Sequence, residues 1–218
     1  MTLAIFDLDN TLLAGDSDYE WGQFLVRKGI VDKASYEEAN QKFYQQYKQG
    51  NLDIYEFSRF AFKPLEEHSL DDLLKWRDEF MQDVINPLML EQARSLIQWH
   101  KERGDTLLVI TATNSFITTP IVQAFAIHNL IATEPKRVEN GFIAEIDGIP
   151  CFQEGKVTRL NHWLKQNNKS LTGSTFYSDS HNDLPLLEMV DNPVAVDPDD
   201  KLLAIAQQRN WEVISLRN

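Results

Sequence analysis

The sequence predicts an α/β protein built on a doubly wound parallel sheet, and three observations carry that prediction. Apolar runs over residues 3–6 and 106–110 are continuous rather than alternating, as strands buried on both faces are, and they end at Asp7 and Thr111, while a further strand over 174–178 ends at Asp179. Strand and helix patterns alternate from about residue 156 to the C-terminus, the order of βα units on one sheet. The first two apolar runs lie much farther apart than one crossover helix requires, so residues 14–85 read as an inserted helical subdomain over the carboxyl edge of the sheet.

The first strand, Leu3-Ala4-Ile5-Phe6, carries Asp7 and Asp9 at its carboxyl end, where open α/β sheets bind ligands. Two carboxylates placed there repel unless a divalent cation sits between them or one holds a proton. The competing reading is that Asp9 or Asn10 merely caps a following helix. Through the insert, Tyr19, Trp21, Phe24 and Leu25, then Phe43, Tyr44 and Tyr47, then Ile54, Phe57 and Phe60, then Leu70, Leu73, Leu74, Trp76 and Phe80 fall at helical spacing. A long helix is expected next, with Pro87 early in it, running through Leu90, Ala93, Leu96, Ile97 and Trp99 to a stop at Gly104.

After the strand that ends at Thr111, Asn140-Gly141 and Asp147-Gly148 punctuate three short segments at 136–139, 142–146 and 149–152, which predicts a small antiparallel hairpin meander. Helices over 156–166, 184–190 and 201–208, with strands over 174–178, 193–196 and 211–215, complete a core made of residues 1–13 and 86–218.

With 33 acidic against 21 basic residues, the net charge is −12, which disfavours nucleic acid and favours metal ions and cationic small molecules as partners. One cysteine, Cys151, allows no intrachain disulfide and fits a reducing compartment; it reads as an ordinary buried thiol. The N-terminal residues enter the first strand without a basic leader, and no apolar stretch reaches the ~18 residues of a membrane span, so a cytoplasmic protein with no membrane partner is expected. The sequence does not set the oligomeric state.

Polar residues fall at or just past strand ends in four places: Asp7-Leu8-Asp9-Asn10-Thr11, Thr111, Gly155-Lys156, and Asp179-Ser180-His181-Asn182-Asp183. In that order they resemble the four motifs of the haloacid dehalogenase-like (HAD) phosphohydrolase superfamily. The insert resembles the C1 cap of its subfamily IB, the phosphoserine phosphatase-like branch. The resemblance implies that Asp7 attacks phosphorus and becomes an aspartyl phosphate, and that Asp9 protonates the leaving alcohol and then activates water. It further implies Mg²⁺ on the Asp7 side chain, the Asp9 backbone carbonyl and the Asp179 side chain, with Asp183 supporting that shell. Thr111 and Lys156 would hold phosphoryl oxygens, and Asn182 would lie near the phosphate.

An acid at Asp9 also separates the superfamily's phosphatases from its dehalogenases. Where phosphoserine phosphatases carry Ser-Gly-Gly, this chain has Thr111-Ala112-Thr113-Asn114, a departure that weighs against phosphoserine as substrate. Asp16 falls where those enzymes place an acid for the substrate ammonium, Asp18 adds a second acid, and Arg59 loosely matches a cap arginine that meets the substrate carboxylate. An ordinary acidic helix N-terminus would account for Asp16 and Asp18 equally well. Similarity to histidinol-phosphatases makes L-histidinol phosphate the leading expected substrate, followed by phosphoserine or another small amine phosphate. The reading of a different class is a regulatory module phosphorylated on aspartate without turnover; such receivers lack a helical insert of this length.

Overall fold

The computed structural model describes residues 2–217. Every residue of β1 (Leu3–Phe6) is buried. It pairs in parallel with β2 (Thr106–Asn114) on one side and β6 (Thr175–Ser178) on the other. β3 (Asn129–Thr133) lies outside β2, while β7 (Asn192–Val196) and β8 (Glu212–Ile214) lie outside β6, giving the parallel order β3-β2-β1-β6-β7-β8. The chain fills one flank of β1 before crossing to the other, so the strand order reverses between β1 and β6. Ligands bind at the carboxyl ends beside such a reversal, and Asp7 and Asp179 are the residues that follow these two strands.

Alternation along the strands feeds two cores. Ala4, Phe6, Leu107 and Val109 face one layer, with α6 (Glu91–Glu102) and α7 (Ser115–Ala124) supplying Ile97 and Ile121. Leu3, Ile5, Leu108 and Ile110 face the other, against Leu160 of α8 (Glu154–Gln166), Leu186 of α9 (Leu184–Leu187) and Leu202 of α10 (Asp200–Arg209).

Between β1 and β2 come α1 (Ser17–Arg27), α2 (Lys33–Gln49), α3 (Ile54–Glu67) and α4 (Leu70–Phe80). Each starts at a side-chain cap, Asp16, Asp32, Asp53 and Ser69, whose oxygen accepts backbone N–H bonds from the first turn. A π-helical turn (Met81–Ile85) leads into the short α5 (Asn86–Leu88). The expected continuous helix from Pro87 is therefore divided, and α6 begins only after an extended Leu90. The reason lies in the backbone bonding. Ala14 N–H donates to Leu88 O, Leu90 N–H donates to Leu12 O, and Leu13 bridges Met89, so the chain's exit into the insert is tied to its return.

β4 (Pro135–Val138) and β5 (Gly141–Ile146) form the expected antiparallel hairpin, but residues 149–152 do not add a third strand. Cys151 N–H donates instead to Thr133 Oγ1, and Ile149 O accepts from Arg159. The segment closes over the start of α8, where a Cβ on Gly155 would lie 2.0 Å from Pro150 O, so only glycine fits there. The hairpin packs under the insert, where Glu66 of α3 accepts from Ala144 N–H, and against α7, where Phe142 meets Phe116 edge-on. No helix among the described residues is long and apolar enough to cross a membrane.

Asp105 clamps the entrance of β2 to the N-terminus. Its carboxylate accepts from Thr2 N–H (3.0 Å) and Thr2 Oγ1 (2.7 Å) and lies 2.9 Å from His100 Nδ1; His100 Nε2 in turn meets the Tyr177 hydroxyl. Burial opposes the Asp105 charge, but the bonds from His100 and Thr2 outweigh it and hold the carboxyl well below the usual range. Burial also lowers the His100 imidazole. For groups depressed in the folded state, stability is present above the unfolded pKa and falls as pH drops toward the folded one. Asp105→Asn is expected to cost about 2 kcal/mol at neutral pH, roughly 4–8 °C of thermal midpoint. Thermal melts from pH 7 to 3 should show a shallower acid decline for the variant than for wild type.

Candidate active site

The buried centre of the site is Lys156, in the first turn of α8 and only 3% exposed. Its Nζ donates to Asp7 Oδ1 at 2.7 Å and to Asp183 Oδ2 at 2.8 Å, and Ser178 Oγ donates to the same Asp183 oxygen at 2.7 Å. Burial disfavours the ammonium, but Asp183 and Asp7 more than offset it and hold Lys156 protonated well above its ordinary range. Burial raises the Asp7 carboxyl; Lys156 pulls it back, and Asp183 and Asp9 raise it again, to about 8. Asp179 is likewise pushed well above the carboxylate range, by burial, Asp7 and Asp183.

Asp9 occupies the other side of the edge. Its Oδ1 accepts from Ser17 N–H at 2.6 Å, and its Oδ2 accepts from Thr113 Oγ1 at 2.8 Å, with Thr111 Oγ1 at 3.4 Å. The helix cap of α1 is Asp16 rather than Asp9 or Asn10: Asp16 Oδ1 accepts from Asp18 and Tyr19 N–H, each at 3.0 Å. Thr113 is the residue that strand-end reasoning passed over. Residues two apart in a strand share a face, so the spacing of Thr111 and Thr113 already placed both beside Asp9.

Asp7 and Asp183 share one buried ammonium and Asp179 adds a third acid beside them, so acids outnumber cations at this edge. Among the described residues no three His, Cys, Asp or Glu side chains form a ready cage for an ion. A site with two carboxylates, a backbone carbonyl and room for water suits Mg²⁺, which keeps waters and binds through one or two carboxylates. Asp7, Asp179 and the Asp9 carbonyl therefore fit that ion.

Above these acids lies a cleft of about 90 Å³, closed on its far side by the insert through Asp16, Asp18, Asn40, Phe43, Tyr47 and Phe57. Asn114 Nδ2 lies 3.4 Å from Asp18 Oδ1. Burial, then Asp9, pushes the Asp16 carboxyl up to about 7, and burial with Asp16 and Asp9 raises Asp18 well above its ordinary range. Asp16 thus caps α1 and faces the cleft at once. Arg59 does neither: it is exposed on α3, outside the cleft, because that helix turns Phe57 toward the cleft and buries Phe62 and Leu65. Arg59 is therefore removed from the candidate substrate contacts.

Asn182 lines the cleft and also fastens the insert to the sheet edge. Its Nδ2 donates to Tyr47 O at 3.3 Å, and its Oδ1 accepts from Gln153 Nε2 at 3.0 Å. Tyr47 Oη donates to Ser180 Oγ at 3.0 Å, and Lys201 Nζ donates to Lys48 O at 3.1 Å at the C-terminal end of α2. Cys151 is fully buried, its thiol pushed by burial up to about 12, which leaves it unsuited to nucleophilic work.

Residues 4–188 match the family described as haloacid dehalogenase-like hydrolase. The chain is 45% identical over 219 residues to a histidinol-phosphatase of Neisseria meningitidis serogroup C (strain 8013), covering 99% of each. It is 28% identical to a phosphoserine phosphatase of Mycobacterium tuberculosis, over 98% of this chain and 70% of that one. A solved protein of unknown function from Bordetella pertussis Tohama I is 44% identical and superposes with a TM-score of 0.93, covering 99% of this chain and 100% of that one. A substrate-bound phosphoserine phosphatase shares the fold, with a TM-score of 0.73 at 16% identity, over 100% of this chain and 94% of that one. The acids at the β1 and β6 ends, the buried lysine between them and the match over most of the length lead to one assignment: the chain belongs to the haloacid dehalogenase-like hydrolase family.

Proposed function

We propose that the protein is a Mg²⁺-dependent phosphomonoesterase of the cytoplasm that works through an aspartyl phosphate, with L-histidinol phosphate as its substrate. The observation that carries this reading is the pairing of unlike acids across the sheet edge. Asp7 is fixed by an ammonium, as a nucleophile beside phosphoryl oxygens needs, whereas Asp9 is held only by hydroxyls and one backbone N–H and can exchange a proton.

In the first step an Asp7 oxygen attacks phosphorus, the bond from phosphorus to the alcohol oxygen breaks, and Asp9 gives that oxygen its proton. In the second, water attacks the same phosphorus, Asp9 takes the water proton, and the bond to Asp7 breaks to release inorganic phosphate. Lys156, Thr111 and Asn182 hold the phosphoryl oxygens, with Thr113 positioning Asp9. Asp7, Asp179 and the Asp9 carbonyl, with Asp183 behind them, would hold Mg²⁺, which when bound would supply positive charge that favours the ionised Asp7 carboxylate beside an anionic substrate. Residues 14–85 act as the cap. Its ties from Tyr47 and Lys48 to the sheet edge exclude water during phosphoryl transfer.

For the substrate, Asp16 and Asp18 offer carboxylates to an amine, and Phe43 and Phe57 offer faces to a ring. The 45% identity to a histidinol-phosphatase agrees with that chemistry. A panel of phosphorylated metabolites assayed with purified protein and Mg²⁺ is expected to give histidinol phosphate the highest kcat/KM, above phosphoserine by at least about 10-fold, since among the described residues Lys156 is the one cation lining the cleft. Faster turnover of other metabolites overturns the substrate, and a single turnover without steady release of phosphate would mark a regulatory module instead.

A further inference from the structure

Asn40 is a polar side chain without a bonding partner. It lies within α2, is 8% exposed, lines the cleft, and its Nδ2 has no hydrogen-bond acceptor. Buried donors in folded proteins are almost always paired, so an orphan of this kind calls for an explanation. Six buried side-chain atoms of this sort occur among the described residues, and of their owners only Asn40 belongs to the cleft lining. Asparagine is also a weak helix former, and a leucine or alanine would serve a buried position in α2 better on structural grounds.

The cleft around it is chemically mixed. Asp16 and Asp18 provide carboxyls whose ionised form a bound ammonium would favour, Phe43 and Phe57 provide flat apolar faces, and Asn40 adds a neutral donor. Carboxylates select a cation, ring faces select a planar group, and an amide N–H selects an uncharged acceptor. We propose that Asn40 determines specificity. Its side-chain amide donates to an uncharged acceptor on the ring of the leaving alcohol, such as the bare nitrogen of a neutral imidazole, while Asp16 and Asp18 receive the amine. The substrate class is then phosphate esters of amino alcohols that carry a planar ring with a hydrogen-bond acceptor. The inference rests on the function proposed above for the position of the phosphate.

A site built around a donor discriminates strongly against ligands that lack the acceptor, because the donor then stays desolvated and unpaired. Asn40→Leu keeps the bulk and deletes the donor. Three substrates separate the roles. Histidinol phosphate carries amine and ring, 2-aminopropyl phosphate carries the same ester and amine without the ring, and propyl phosphate, which has neither, reports on the shared chemistry. The variant is expected to lose about 10- to 100-fold in kcat/KM for histidinol phosphate, mostly through KM, because one buried hydrogen bond to substrate is gone. The other two substrates should change by less than about threefold, and the thermal midpoint of the free protein should rise once the orphan donor is removed.

An unchanged ratio of histidinol phosphate to 2-aminopropyl phosphate overturns the proposal, as does a wild-type enzyme that does not prefer the former. A lower midpoint with all three substrates falling together also overturns it, since that is the signature of a packing role. Should the wild-type protein hydrolyse none of the three, the catalytic reading fails by itself. Calorimetric binding of L-histidinol then decides the matter: weaker binding to Asn40→Leu supports the role of Asn40, and equal binding ends it.

Discussion

Asp7→Asn is expected to lower kcat by at least about 10⁴-fold while the protein stays folded, because an amide cannot attack phosphorus and no second carboxylate stands in its place. The substitution preserves shape, and Lys156 keeps its bonds to Asp183. Burial, together with Asp183 and Asp9, already makes a charge at Asp7 costly, so the thermal midpoint of the metal-free variant should match or exceed that of wild type. Circular dichroism and melting check the fold, and phosphate release checks the rate. Acid quenching with labelled substrate should trap protein-bound phosphate on wild type and none on the variant. Retention of more than about 1% of kcat would remove Asp7 as nucleophile, since the residual rate of a true nucleophile knockout lies far below that.

Much of this site was legible in the sequence because a parallel sheet converts distance along the chain into proximity at one edge. Asp7 and Thr111 each end an apolar run and Asp179 follows a strand pattern, and register between β1, β2 and β6 brings these positions together whatever lies between them. Lys156 was legible only jointly. In isolation a lysine at a helix start runs against the macrodipole, and its burial between two acids depends on where β1 and the turn before α9 fall in space.

The parts that were not legible have local causes. α7 is apolar on most sides, with Phe116, Ile117, Ile121 and Val122 all buried and Pro120 inside it, so it shows no amphipathic stripe. β3 is a short strand directly before the hairpin, and its pairing with β2 shifts register between Ile110 and Asn114. The break before α6 arises from backbone bonds between residues 12–14 and 88–90, partners that local patterning cannot see. Asn40 carries no local signal at all. Only the cleft that α2 closes over makes an ordinary helix asparagine conspicuous.

Lys156→Met is expected to be the most damaging single change to the folded protein. It retains the length of the side chain and deletes the charge, leaving Asp7 and Asp183 buried without their cation. Breaking a buried ion pair from one side costs about 3–5 kcal/mol, because the abandoned charge remains desolvated. In the variant the two carboxyls can relieve each other only by sharing a proton. A group raised in the folded state stabilises below its unfolded pKa, and that contribution is lost as pH rises through the folded value. For Asp7 that value is about 8 with Lys156 in place and higher without it, so the wild type levels off above pH 8 while the variant keeps losing stability, and the deficit should widen above pH 8 in metal-free urea melts. Lys156→Arg should not restore the wild type, since a planar guanidinium is too broad for a slot fitted to an ammonium with two acids within 2.8 Å. Adding Asp183→Asn to Lys156→Met removes one of the stranded charges and should recover roughly half of the lost stability, a coupling expected only between groups in direct contact. Additive losses in that double variant would mean that Asp183 and Lys156 are not electrostatic partners. Activity would stay low in every combination, by about 10²-fold or more, because the phosphoryl oxygens have lost the charge that receives them.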